Sequence, residues 1–262
     1  MLYTVVTSIN RDYWENHAVR LNLQSWDKFF PTNVKIHIYS EDMQPADFNL
    51  SKRVIVHNLY KECPELVAFI EVHKDDPHYN GTKQTPAYKW NAIKFAHKTF
   101  PIFRQARDTK GVLIWLDADV LAIQPLAHNQ LRAIAPENYC VNYLGRPRTH
   151  SECGYVTYNL DHQLGLDFIK HFESYYYNNK LSTLLQTHDS YVFDRARESF
   201  GHKEIFNDMN KGIQTNKHPF DKTVLNQCFV HTKGDGKDRR IRKNAKRFRL
   251  ERFGLQAGTG NE

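Results

Sequence analysis

The chain reads as a single three-layer α/β domain. Three observations predict this. Buried-strand runs alternate with helical periods through the first 120 residues. The strongest run, Val112 to Leu116, is apolar at every position, as expected of a parallel strand covered on both faces. The 262-residue length is enough for one sizeable core.

The elements follow in order. Residues 2–9 form a first strand. Val19, Leu23, Trp26 and Phe30 recur at helical spacing, and Pro31 closes that helix. Residues 34–39 alternate apolar with polar, a second strand, and residues 53–57 form a third. Residues 74–85 are polar, with Pro77 and Gly81, and read as a loop. Thr85 and Pro86 have the form of an N-cap followed by Pro at the first helical position, opening a helix with Trp90, Ile93, Ala96 and Phe100 on one face. After residue 139, short strands at 140–144 and 154–159 precede helices at 164–177 and 189–200.

Composition narrows the class. Hydrophobic residues make up 40% and charged residues 25%, ordinary for a soluble globular protein. No apolar stretch approaches the roughly 20 residues of a membrane span. The start, residues 1–10, has no basic segment or cleavage site, so a cytoplasmic location is expected. Cys63, Cys140, Cys153 and Cys228 are scattered without a C-x-x-C pair, so reduced thiols are expected rather than a zinc site or disulfide framework. The net charge is +7. Nine of the 36 Lys and Arg lie between 237 and 252, with two of the 29 Asp and Glu, which leaves 27 of each elsewhere. The basic excess therefore belongs to the segment 237–262, read as a tail on a domain of residues 1–236. Its cations interleave with Ile241, Phe248, Leu250 and Phe253, a pattern suited to an anionic membrane or a polyanionic glycan. Nucleic-acid binding would need the same charge.

Two stretches carry chemistry. The Val112–Leu116 run ends in Asp117-Ala118-Asp119. Ligands in open α/β sheets sit beyond the carboxyl ends of the strands. Residues two apart in extended chain point the same way. Two carboxylates projecting together there repel unless a cation holds them. Far downstream lies Phe229-Val230-His231-Thr232-Lys233-Gly234-Asp235-Gly236-Lys237, an H-x-x-G-x-x-K pattern. Neutral imidazole is a transition-metal ligand, Gly234 permits close backbone approach, and Lys237 is a point charge for phosphate.

The ordered pair of motifs resembles the GT-A-fold glycosyltransferases, in particular the retaining family of glycogenin and the lipopolysaccharide galactosyltransferases. The resemblance runs from Tyr3 to about Lys237. It implies one Rossmann-like α/β/α domain with a mixed, mostly parallel central sheet. Val6-Thr7-Ser8-Ile9-Asn10-Arg11-Asp12-Tyr13 resembles the family's first-strand loop, which implies that Thr7, Asn10 and Tyr13 embrace a nucleotide base. Tyr88-Lys89-Trp90 resembles the segment with the family's basic residue before the D-x-D strand, which implies that Lys89 reaches the nucleotide sugar. Glu152 to Asn159 resembles the strand lining the sugar pocket, and His188 to Asp194 the segment whose Asp lies near the reacting carbon. The pattern departs from the family at Glu152-Cys153, Ser190, Asp194 and Asp238-Arg239. The metal and diphosphate elements thus match more closely than the sugar and acceptor elements.

The implied activity is hexosyl transfer from a UDP-sugar to a glycan or other hydroxyl acceptor. Asp117, Asp119 and His231 would hold Mn²⁺, or Mg²⁺, with Asp117 also at the nucleotide and Lys237 at the diphosphate. Asp189 or Glu152 would face the anomeric carbon, and Asp189 has a competing use as a helix N-cap. A metal-dependent nucleotidyltransferase and a non-catalytic nucleotide- or glycan-binding protein of the same fold are the alternatives.

Overall fold

The computed structural model describes residues 1–15, 17–83, 85–213, 218–232 and 237–255. Its strands are β1 (Tyr3–Ile9), β2 (Lys35–Ser40), β3 (Val54–Asn58), β4 (Val112–Leu116), β5 (Val120–Ala122), β6 (Val141–Tyr143), β7 (Tyr155–Asn159), β8 (Phe206–Asp208) and β9 (Phe229–His231). Its α-helices are α1 (Arg11–Glu15), α2 (His17–Phe29), α3 (Leu59–Glu62), α4 (Pro64–His73), α5 (Ala92–Asp108), α6 (His128–Ile134), α7 (Gln163–Tyr177), α8 (Asp189–Ser199) and α9 (Lys237–Arg247). The central sheet has the order β3-β2-β1-β4-β7-β6-β8. It is parallel from β3 to β4, antiparallel where β7 meets β4 and β6, and parallel again between β6 and β8. This is the mixed, mostly parallel sheet of the expected α/β class.

Side-chain alternation on β4 sets the three layers. Val112, Ile114 and Leu116 enter one core with Trp26, Phe29 and Ile36. Leu113 and Trp115 enter the other with Phe100, Phe103 and Phe172. Both faces of the strand are therefore covered, and all five residues are buried. A small second sheet pairs β5 with β9 in antiparallel register, Val120 opposite His231.

Three details differ from the sequence expectation. Thr85-Pro86 does not open the long helix. A 3-10 turn, Ala87–Trp90, follows it, and α5 starts at Ala92. Asn91 is the cap: its side chain accepts a hydrogen bond from the Lys94 backbone N–H, the third N–H of the helix. An Asn in non-helical geometry thus overrides the Thr-Pro signal. The stretch after β3, unassigned from sequence, forms α3 and α4. Asn58 caps the first through the Lys61 N–H, and Pro64 begins the second. The third difference is the basic segment.

That segment packs as part of the body. Ile241 and Leu250 are 0% exposed, and Ala245 and Leu255 join the same core as β1 and β4. Phe253 sets its ring edge against Phe29 at 4.9 Å. A boundary after residue 236, drawn on charge, is therefore not a packing boundary. Ile241→Ala is expected to lower stability by roughly 2–5 kcal/mol, the cost of a cavity at a fully buried aliphatic site. Chemical denaturation checks this; a change below 0.5 kcal/mol would mean that α9 does not contribute to the core. All four cysteines are buried and free. Among the described residues no helix is long and apolar enough to cross a membrane.

Candidate active site

The chain leaves β1 toward β2 on one side and returns to β4 on the other. The carboxyl ends of β1 and β4 therefore flank a switch point, where open α/β sheets form a ligand crevice. A cleft of about 330 Å³ lies there, lined by Asn10, Tyr13, Lys98, Asp117, Asp119 and Asp189 among others, including Glu152.

Asp117 is the first residue beyond β4. Its backbone N–H donates to the Gly154 carbonyl at 3.0 Å, and its Oδ1 accepts from the Trp115 indole at 2.7 Å. The Val120 N–H closes back on the Asp117 carbonyl at 2.9 Å, a tight turn that presents Asp119. The Asp119 carbonyl accepts from both the backbone N–H (3.1 Å) and the hydroxyl (2.8 Å) of Thr232. Pairing of β5 with β9 then brings His231 to Asp119, with Nε2 2.9 Å from Oδ1. Two motifs 112 residues apart thus meet through one short ladder.

Asp117, Asp119 and His231 each offer one ligand atom, and the three atoms lie within 4.8 Å of one another. The His231 side chain is 1% exposed, and its Nδ1 has no hydrogen-bond partner among the described residues. Burial, and next the Lys98 ammonium pulling the other way, set the Asp117 carboxyl; burial prevails, reinforced by Asp119, and the pKa is raised. The donor set and this shortage of positive charge both fit a divalent cation. Gly154 makes the cluster sterically possible. A Cβ there would lie 2.8 Å from His231 Cε1, 3.2 Å from Glu152 Oε1 and 3.3 Å from Asp117 Oδ2.

The structure places Lys98, and not Lys89, among the residues lining the cleft. Lys89 lies on the 3-10 turn, where its carbonyl accepts from the Thr187 N–H. Lys98 lies farther along α5, and its ammonium bridges Asp117 Oδ1 and Asp189 Oδ2, at 2.8 Å each. Burial works against its charge, but the two carboxylates outweigh burial and hold its pKa well above the usual lysine value. At Asp189 burial works upward and Lys98 downward; Lys98 wins, and the carboxyl sits below its usual value. Asp189 is the first residue of α8, and His188 occupies the cap position. An acid there also suits the helix dipole.

Glu152 is 2% exposed. Its Oε1 accepts from the Gly154 N–H at 3.1 Å, and its Oε2 meets Arg146 at 3.2 Å and His218 Nε2 at 3.0 Å. His218 was not anticipated from sequence. With Glu152 and His231 it makes a second group whose ligand atoms lie within 4.8 Å of one another. One histidine among 14, 66 residues from its partner, carries no sequence signal.

Asn10 accepts from the Tyr13 backbone N–H at 2.9 Å and so ends β1 in a helix cap at the mouth of the cleft. The Tyr13 hydroxyl points to Asp119 Oδ2 at 3.5 Å. Thr7 lies deeper in β1 and is fully buried; the cleft begins at Ser8. Gly234 lies outside the described residues. Lys237 opens α9, and its side chain also lies outside them.

No family model and no curated protein sequence matches the chain. Solved structures do. The galactosyltransferase LgtC, solved with donor and acceptor sugar analogues, aligns with a TM-score of 0.54 at 14% identity over 98% of each chain. An active-site variant of LgtC gives 0.56 at 14% identity, over 99% of this chain and 98% of that one. Mouse xyloside xylosyltransferase 1 gives 0.50 at 12% identity, over 79% of this chain and 85% of that one. The chain has a GT-A-like glycosyltransferase fold resembling that of LgtC.

Proposed function

We propose that the protein is a metal-dependent glycosyltransferase that moves a hexose from a UDP-sugar to a hydroxyl of a glycan acceptor, with retention of configuration. The observation that carries this reading is the Asp117, Asp119 and His231 cluster at the mouth of the switch-point cleft. When bound there, Mn²⁺ or Mg²⁺ supplies Lewis-acid neutralisation of the departing diphosphate.

The chain's own groups do the rest. Tyr13, at the rim beside Asn10, offers an aromatic face to the uracil ring. The diphosphate roles fall to Gly234 and Lys237 on the spacing of the H-x-x-G-x-x-K motif. Asp189, kept ionised by Lys98, faces the anomeric carbon and stabilises positive charge as the glycosidic bond breaks. Glu152, fixed by Arg146, His218 and the Gly154 N–H, shapes the sugar end of the cleft. A cytoplasmic enzyme with peripheral contact to an anionic membrane or polyanionic glycan fits the exposed Arg239, Lys243, Lys246 and Arg247 of α9.

A thermal-shift titration tests the reading. A ligand that binds only the native state stabilises it, by about 2.7 kcal/mol at a hundredfold excess over Kd. UDP should raise the melting temperature in the presence of Mn²⁺ and not in the presence of a chelator. Equal shifts with and without the metal would overturn the assignment of the cluster.

A further inference from the structure

We propose that a second, larger cavity is the acceptor subsite, and that it selects a sugar carrying an oxyanion, a phosphate or a carboxylate. This rests on the glycosyl-transfer reading above. The cavity measures about 610 Å³ and shares a wall with the nucleotide cleft. That wall is the loop between β6 and β7. Arg146 and Ser151 line the cavity, while the next residue, Glu152, lines the cleft. Arg146 spans the wall by its ion pair with Glu152, at 3.2 Å.

The charge inside is lopsided. Asp194 is 5% exposed and is engaged by the Ser151 N–H at 2.9 Å, the Ser151 hydroxyl at 2.6 Å and Arg197 at 3.3 Å. Asp208 accepts from the Gly145 and Asn210 N–H groups at 2.8 and 2.9 Å. Glu198 pairs with Arg195. The acids of the cavity are thus committed to its own walls. Arg148 and Lys211 also line it, both exposed, and neither has an ion-pair partner among the described residues. Outside residues 237–252 the chain is charge-balanced, so this surplus does not reflect a general surface positivity. Two unmatched cations facing one cavity, backed by Arg146, attract an anion. The guanidinium fork of Arg148 matches phosphate and carboxylate oxygens in pairs. A neutral acceptor sugar would leave both cations without a counterpart.

The test is an NMR titration of the full chain, saturated with UDP and Mn²⁺, using galactose 6-phosphate, galacturonate and galactose. Both charged sugars should bind at least about tenfold more tightly than galactose, and only their binding should weaken in high salt. The phosphate and carboxylate arms identify which oxyanion is preferred. The double variant Arg148→Asn, Lys211→Gln should lose about tenfold in affinity for the charged sugars, with UDP titration and a melting curve reporting the cleft and the fold. Equal binding of charged and neutral sugars, or no detectable binding of a charged sugar at millimolar concentration, overturns the proposal. So does charged-sugar binding that the double variant leaves unchanged. Loss of metal-dependent UDP binding in the parent protein would instead overturn the glycosyl-transfer reading. Should the double variant fail to fold, the charged-against-neutral comparison and its salt dependence in the parent protein still decide the matter.

Discussion

Asp119→Ala is expected to remove Mn²⁺-dependent UDP binding and to lower transfer by roughly 10²–10³-fold, the scale of losing several kcal/mol of metal-borne charge stabilisation. The fold should survive. The bonds from the Asp119 carbonyl to Thr232 survive a side-chain truncation, and of its ties to β9 the carboxylate contact with His231 is lost. The side chain itself sits at the cleft, beside His231 and Tyr13. Calorimetric titration of UDP with Mn²⁺, alongside a melting curve, separates the two effects. An unchanged affinity would show that the carboxylate pair does not hold the cation.

Lys98→Met is the second large effect, and it acts on stability. The ammonium is 14% exposed and bridges carboxylates that are themselves 27% and 10% exposed. Removing the shared cation leaves two poorly solvated negative charges facing each other. The expected loss is about 3 kcal/mol at pH 7, at the low end of breaking a buried pair because Asp117 retains partial access to water. The pH dependence has a definite sign. In the parent, Asp189 has a depressed pKa, so its contribution is present above the usual aspartate value and is lost as pH falls through the folded one. In the variant, burial is no longer offset and the carboxyl pKa rises. Protonation then relieves the variant at mildly acidic pH, where Asp189 of the parent is still ionised. The stability gap should therefore narrow as pH falls from 7 toward 4. A gap that stays constant would mean that Lys98 acts through packing alone. A narrowing gap would also show that Lys98 keeps Asp189 ionised.

Much of this architecture was legible because its signals are local. The strand runs are dense in Val, Ile and Leu, and each lies within two residues of its expected position. Asp117 and Asp119 were recognisable because an all-apolar strand ended in them. His231 was legible only through its spacing to Gly234 and Lys237, and what brings it to Asp119 is a three-residue ladder too short to announce itself. Lys98 was missed for a physical reason. α5 carries two lysines, Lys94 and Lys98, four apart on one face, and no local signal tells which of them reaches the Asp117 and Asp189 carboxylates. The burial of α9 was hidden by its own composition. Ile241 and Ala245, four residues apart, form one narrow apolar stripe among cations. His218 and Arg146 reach Glu152 only through tertiary structure.

The proposed transfer of a sugar from a nucleotide diphosphate donor runs at a metal held by Asp117, Asp119 and His231. The most direct measurement is to incubate the protein with UDP-galactose and with UDP-glucose, with Mn²⁺ or with chelator, and to separate the nucleotide products by chromatography. UDP is expected as the nucleotide product, formed with metal and not with chelator, and strongly reduced in Asp119→Ala. Release of pyrophosphate or a nucleoside monophosphate, or metal-independent release of UDP at the same rate, would contradict it.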